Sequence, residues 1–494
     1  MPSSLLPESS TAAMASVEEA DAVLARFDPD WPQGHPTARL VEEYLLGRAH
    51  GILDVSGRPV DASAPSPQPV TVVLGDPTGA LVLIAALAGA PQVHAWNDSA
   101  RAARAVRTAV GHLPADAWEA VALHDTRADA LAAAFQSTAG TEAVPAGEHV
   151  EEAAGASPSG VRVIVEAPKQ LAAVRQLLRD GAGTAAEVVV AGRDKHLSPR
   201  LGSVLGESFR QVHVSPGVRK SRLLIGVAPH TADGAPAHDS SADDSHVDDA
   251  ASALAASPAP GVPELSITAW PGTFGGTSAD AGAQLLVRAV ADRWTAATRG
   301  ASATAGGEAA AVGAAASAAE VAGTSTVGGA ASAAGFRRVL DLGCGNGWLL
   351  AAVGALVPGA ELWGVDDVRA AVASTEATVR NSTGVRGDSD RRVVVVHADG
   401  TAPLPWPGPD GTVVEEGAFD LVTLNPPFHE GHTVTTATAH DLIESAVRLL
   451  APGGRLVLVH NSHLRYRSHL ERVLDGVEQW ARDRRFTVLT GTRG

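Results

Sequence analysis

Arg338-Val339-Leu340-Asp341-Leu342-Gly343-Cys344-Gly345-Asn346-Gly347-Trp348-Leu349-Leu350 runs from a short apolar strand through a glycine-rich turn into a helix. Glycines at 343, 345 and 347 let the backbone approach a ligand closely and take φ values closed to other residues. Alone, the loop would suit a dinucleotide equally well. Moving outward, Glu361-Leu362-Trp363-Gly364-Val365 predicts the next strand and ends in Asp366, an acid placed to take both hydroxyls of a ribose. A third strand, 392–396, is followed by Asp399, placed to accept from an adenine amino group. A fourth, Phe419 to Leu424, runs into Asn425-Pro426-Pro427-Phe428. Asp341, Asp366, Asp399 and Asn425 thus fall at or just after four successive strand ends, along the edge where open α/β sheets bind ligands.

The tetrapeptide carries chemistry as well as position. An exocyclic amine on a nucleobase, or an amide nitrogen, has its lone pair delocalised into a π system and is a poor nucleophile. Acceptors for its N–H groups turn the lone pair outward as the nitrogen becomes tetrahedral. The Asn425 side-chain oxygen and the Pro426 carbonyl are such acceptors, and two consecutive prolines fix the backbone that holds them. Phe428 offers a ring on which a flat substrate can stack. By itself Asn-Pro-Pro is also an ordinary strand-ending turn. The D-x-G-x-G-x-G loop upstream weighs against that, and against nicotinamide, because Asn-Pro-Pro-Phe has no role in hydride transfer. S-adenosylmethionine is the expected cofactor. His429 and His432 have no third ligand nearby and follow a double proline, so no metal is expected.

These motifs, with the longer run Asn425-Pro426-Pro427-Phe428-His429-Glu430-Gly431, resemble the bacterial ribosomal RNA guanine-N2 methyltransferases of the methyltransferase small domain group. The likeness extends to Trp270-Pro271-Gly272-Thr273-Phe274 with Asp280-Ala281-Gly282-Ala283-Gln284-Leu285-Leu286, similar to that family's lead-in, and to Asn461-Ser462-His463-Leu464-Arg465-Tyr466, similar to its closing motif. The resemblance implies two tandem Rossmann-like class I methyltransferase domains, α/β in class, the N-terminal one degenerate. It implies that Asp341 with the Gly343, Gly345 and Gly347 backbone holds the methionine end of S-adenosylmethionine, Asp366 the ribose and Asp399 the adenine. Asn425 and Pro426 would then accept from the N2 amine of a guanine, more in small-subunit 16S than in 23S RNA, with Pro427 and Phe428 completing the grip. Ribosomal RNA or a ribosomal subunit is the implied partner. Two alternatives stand beside this: an amino-methyltransferase acting on a protein glutamine or an adenine, and a non-catalytic RNA-binding assembly factor.

The first half looks like the degenerate copy. Val70-Thr71-Val72-Val73-Leu74-Gly75-Asp76-Pro77-Thr78-Gly79 stands where the cofactor loop would be, but Pro77 and Thr78 break the glycine pattern. Strand 92–96 ends in Asn97-Asp98, and Glu166-Ala167-Pro168-Lys169 replaces the Asn-Pro-Pro-Phe turn after strand 162–165. Residues 1–228 are therefore expected to support RNA contact or the catalytic partner, 229–262 to form a flexible acidic linker, and 263–494 to form the catalytic domain. A low-complexity insertion at 299–335, almost all Ala, Gly, Ser and Thr, interrupts that domain.

Length and composition agree with two or more sizeable cores. Apolar strands alternating with alanine-rich stretches predict parallel sheets. The single cysteine, Cys344, excludes an internal disulfide framework and fits a reducing cytoplasm. Cys344 is expected to be a small packing residue rather than a nucleophile. The longest apolar run, 79–90, falls short of the ~20 residues that cross a bilayer, so no membrane segment is expected. A net charge of -17 fits an RNA partner poorly. Against it stand local clusters: Arg455, Arg465, Arg467, Arg472, Arg482, Arg484, Arg485 and Arg493, and in the first half Arg193, Lys195, Arg200, Arg210, Arg219, Lys220 and Arg222.

Overall fold

Seven of the sheet strands in each half are laid out in one and the same order. The structure is a computed structural model and describes residues 17–28, 30–60, 68–139, 160–168, 171–230, 250–305, 335–382, 391–427 and 436–494. The chain divides into two compact units, Met1–Asp248 and Asp249–Gly494.

Among the described residues of the second unit, the main sheet reads Val393–His397, Glu361–Asp366, Arg338–Leu342, Phe419–Leu424, Leu450–Asn461, Phe486–Thr492, Asp475–Arg482 from edge to edge. Numbered along the chain this is 3-2-1-4-5-7-6. The first five strands are parallel, and the seventh is inserted antiparallel between the fifth and sixth. The order reverses between Arg338–Leu342 and Phe419–Leu424, and such a switch point opens a crevice beyond the C-terminal strand ends.

In the first unit the corresponding strands are Val121–Leu123, Val93–Trp96, Val70–Leu74, Val161–Glu166, Glu187–Arg193, Ser221–Pro229 and Phe209–Val214, with the two-residue strand Leu53–Asp54 added at the edge. The parallel and antiparallel pairings also repeat. The expected tandem Rossmann-like architecture is the one observed.

Both faces of each sheet are covered, which is why the central strands are apolar throughout rather than alternating. All of Val70–Leu74 is buried, as are Val339, Leu340, Asp341 and Leu342. The pleat sends Val339, Leu362, Leu421 and Val457 to one core of the second unit, and Leu340, Trp363, Val422 and Leu458 to the other. Helices Ala80–Leu87 and Trp348–Leu356 are apolar on all sides and buried because they are enclosed between sheet and neighbouring helices.

The first unit buries a charged network in this frame. Arg162 Nε donates to Glu187 Oε2 at 2.5 Å, Tyr44 donates its hydroxyl to Glu187, and Arg162 also donates to Gln68.

Composition misplaces one boundary. Residues 250–262 were expected to belong to the flexible linker, yet Ala251–Ala255 pairs antiparallel with Leu265–Ala269, and Ala259 and Val262 are buried within the second unit. Strand pairing through the backbone needs no large side chains, so an Ala-Ser segment pairs as readily as an apolar one. The hairpin is fastened to helix Arg369–Asn381: Thr268 N donates to Thr378 Oγ1, and Trp270 N to Ser374 Oγ, both at 2.9 Å. Residues 299–305 continue helix Ala281–Ala305, whereas the rest of the expected insertion, through 334, lies outside the described residues.

Candidate functional site

The C-terminal edge of the second sheet gathers the residues that the sequence set apart. Leu342 pairs with Val365 on one side and Leu424 on the other, so Gly343, Asp366 and Asn425 emerge at one level. Gly343, Gly345 and Gly347 have φ of 79°, 55° and 77°. Gly347 has no room for a side chain without a shift of its neighbours: a Cβ there would lie 2.7 Å from Thr375 Cα, because the loop packs onto helix Arg369–Asn381. Among the described residues nothing stands within 4 Å of a Cβ placed at Gly343, which leaves the outer face of the loop open to them.

Asp341 is buried at the strand end. Thr423 Oγ1 donates to its Oδ1 at 2.8 Å, and the buried Oδ2 has no partner among the described residues. Burial pushes its carboxyl up to about 7; the Thr423 hydroxyl opposes the shift and the charge of Asp366 adds to it. Asp366 Oδ2 accepts from Gly345 N and Oδ1 from Val368 N, both at 2.9 Å. Asp366 therefore braces the glycine loop as well as facing the crevice. Burial raises its carboxyl to about 6 against these two backbone donors. Asp399 is buried and accepts on Oδ1 from Thr401 N and Oγ1. Cys344 is buried against Gly364, and burial drives its thiol well above the usual range, which suits a packing role.

Asn425 is half-buried and Pro426 buried, while Pro427 is exposed. The Asn425 amide nitrogen donates to Asp280 Oδ2 at 3.1 Å, and its buried Oδ1 has no partner among the described residues. Two acceptor oxygens, Asp341 Oδ2 and Asn425 Oδ1, thus stand unpaired on neighbouring strands beside an open glycine loop. A buried acceptor left unpaired costs about 1–3 kcal/mol, which a ligand donor would recover. Phe428, His429, Glu430, Gly431 and His432 lie outside the described residues. Among the described residues no cluster of three His, Cys, Asp or Glu side chains is arranged to hold a metal.

Three contributors to this site had no assigned role in the sequence. Asp280 and Thr423 orient Asn425 and Asp341, as above. Asn346 donates to Gly276 O at 2.8 Å and Ser278 O at 3.0 Å, pinning the segment after Trp270 against the glycine loop. Asp280 precedes a helix, and that signal alone identifies only a cap.

The first unit shows how the same edge is altered. Leu74 pairs with Trp96 and Val165, so Val73 takes the place of Asp341, Asn97 that of Asp366 and Glu166 that of Asn425. Gly79 keeps its positive φ of 92° before helix Ala80–Leu87. Asp76, however, folds into its own loop: Oδ1 accepts from Thr78 N and Gly79 N, and Oδ2 from Val82 N. Amides at the helix start are consumed internally. Burial raises Glu166 to about 7, with the negative Asp76 adding to the shift.

A model of the methyltransferase small domain matches residues 322–490. This stretch is similar to that domain family. The ribosomal RNA large subunit methyltransferase G of Streptomyces coelicolor is 42% identical over 158 residues, which are 32% of this chain and 38% of that protein. Its namesake in Pseudomonas putida is 37% identical over 155 residues, 31% of this chain and 37% of that protein. The chain thus spans less than two fifths of the length of these curated relatives in the matched region. A T. Thermophilus 16S rRNA N2 methyltransferase, solved in complex with AdoMet and guanosine, aligns over 92% of both chains with a TM-score of 0.57 and 19% identity. That likeness is one of fold and takes in both units.

Proposed function

We propose that the second unit transfers a methyl group from S-adenosylmethionine to the exocyclic N2 of a guanine in ribosomal RNA. The observation that carries this is a pair of buried acceptors, Asp341 Oδ2 and Asn425 Oδ1, without partners among the described residues and flanking the glycine loop at the switch point. The residues present fit the cofactor. Asp341 offers an acceptor for its ammonium, Asp366 and Asp399 offer carboxylates for ribose and adenine, and the loop from Gly343 to Gly347 leaves room for close approach. Bound there, S-adenosylmethionine supplies an activated methyl group on a positively charged sulfur. Asn425 Oδ1 accepts one N2–H and the Pro426 carbonyl the other, drawing the nitrogen lone pair out of conjugation. The N–C bond forms as the C–S bond breaks with its electrons going to sulfur, and N2 then releases its proton to water. Acceptors that gain strength as N2 becomes cationic stabilise the transition state more than the ground state.

An RNA substrate is supported by charge at the same edge despite the overall -17. Asn461 pairs with Phe486, so the turn carrying exposed Arg482, Arg484 and Arg485 lies at the site end of the sheet, and Arg465 is exposed nearby in sequence. Other arginines are committed internally: Arg467 pairs with Glu471, Arg222 with Asp194, and Arg493 donates to the carbonyls of Arg448 and Leu450. The first unit, with its loop closed on Asp76, serves as support or RNA contact.

The curated relatives carry large-subunit names and the structural relative a small-subunit one, while the sequence resemblance favoured 16S. Both RNAs therefore enter the test. Methyl-labelled S-adenosylmethionine is incubated with the chain and with naked rRNA and assembled subunits from cells lacking it. Label in RNA of one subunit is expected and identifies the target. Label confined to ribosomal protein would contradict the proposal.

A further inference from the structure

Asn425 does not set its own orientation. A side-chain amide presents its oxygen or its nitrogen to a site with little intrinsic preference, and hydrogen bonding decides between them. Here Nδ2 donates to Asp280 Oδ2 at 3.1 Å, and the buried Oδ1 has no partner among the described residues. Turned over, the amide would set oxygen against carboxylate oxygen at that distance. Asp280 is itself fixed. Its carbonyl accepts from Gln284 N at 2.9 Å and its Oδ2 from Ala283 N at 3.0 Å, the geometry of an N-cap on helix Ala281–Ala305. A Cβ at Gly282 would come 3.0 Å from Asp280 Oδ2 and 3.3 Å from the Phe486 ring, so the glycine leaves the carboxylate its place.

We propose that Asp280 is a positioning residue for methyl transfer: its carboxylate holds the Asn425 amide nitrogen, so that the amide oxygen is presented to the substrate amine. Donation to a carboxylate also polarises the amide and makes its oxygen a stronger acceptor. The chemistry rests on the methyl-transfer function proposed above, whereas the hold on Asn425 is a property of the fold alone.

Asp280→Ser tests this, because serine retains an N-cap oxygen but is too short to serve Asn425 as well. Turnover, cofactor dissociation constant and thermal midpoint are measured for Asp280→Ser, Asn425→Ala and the double variant. The side-chain amide resonances of Asn425, assigned by their loss in Asn425→Ala, are compared between the unmodified chain and Asp280→Ser. Asp280→Ser is expected to lower kcat at least about tenfold with cofactor affinity held within about twofold. Added to Asn425→Ala, it is expected to cost less than about twofold more, since coupled residues do not add. The Asn425 amide resonances are expected to shift. Full additivity, or unmoved resonances, would overturn the proposal. Absence of methyl transfer by the unmodified chain would overturn the reaction instead, and the amide resonances then decide the role of Asp280 by themselves.

Discussion

Thr423 donates its hydroxyl to one oxygen of Asp341 at 2.8 Å and leaves the other oxygen buried and unpaired. The two residues sit on adjacent parallel strands and are directly paired, so the sheet itself sets the carboxylate plane. One oxygen is spent on fixing the side chain. The second is left for a ligand.

On the proposed role of Asp341, cofactor affinity depends on pH. A cofactor ammonium would bind the ionised form of Asp341, whose carboxyl burial pushes up to about 7. The dissociation constant is expected to rise as pH falls below about 7, by at most about tenfold per unit. Titration calorimetry between pH 5.5 and 8.5 measures it, and a flat profile would remove Asp341 from the ammonium contact.

Asp341 also carries a stability cost of opposite sense. Its folded value of about 7 exceeds the ordinary aspartate value of 3.8, so between these the folded chain keeps a proton that the unfolded chain has lost. Ionisation therefore erodes stability as pH rises through that window. Asp341→Asn is expected to raise the thermal midpoint at pH 8 by a few degrees, with the difference closing near pH 4. Cofactor affinity should fall at least about tenfold in the same variant.

Gly347 and Gly343 share a positive φ but differ in surroundings, and alanine substitution separates the two effects. Gly343→Ala meets nothing within 4 Å and should cost only about 1–2 kcal/mol of left-handed strain. Gly347→Ala drives its Cβ to 2.7 Å from Thr375 Cα and should cost more, about 3 kcal/mol, by denaturant titration. Equal losses would contradict the packing of the loop on its helix.

In the first unit, Arg162 and Glu187 are both almost fully enclosed. Glu187→Ala leaves an unpaired guanidinium in the core and is expected to destabilise that unit by about 3–5 kcal/mol. Proteolysis rates across a denaturant series provide the measurement. A change under about 1 kcal/mol would show that water reaches the site.

Cofactor stoichiometry tests the altered copy. Val73 stands where Asp341 does, and Asp76 caps the loop with its own carboxylate. Calorimetry is expected to give one S-adenosylmethionine per chain, and two would mean that the first unit remains competent.

The strands and their ligand-facing ends were legible because period, glycine spacing and terminal acids are local signals. Gly343, Asp366 and Asn425 come to one level, with Asp341 two residues before it, because they end or follow parallel strands of one sheet, as the sequence suggested. Contacts between distant segments were not legible. Asp280 and Asn425 lie 145 residues apart, and an aspartate before a helix announces a cap, not a hold on a distant amide. Asp366 was expected to face a ribose, but its bracing of Gly345 depends on how the loop curls back over the second strand. The Ala251–Ala255 strand is not legible because its mostly small side chains carry no period; its pairing rests on the backbone, joined by one bond between the Ser252 and Thr268 hydroxyls at 2.9 Å.

The most direct test of the central claim is the identity of the methylated nucleoside. Ribosomal RNA labelled by this chain and S-adenosylmethionine is digested and its nucleosides separated against standards. Label in N2-methylguanosine is the predicted result; label in N6-methyladenosine, or in guanosine methylated on the ring, would contradict the assignment of Asn425 and Pro426 to a guanine amine.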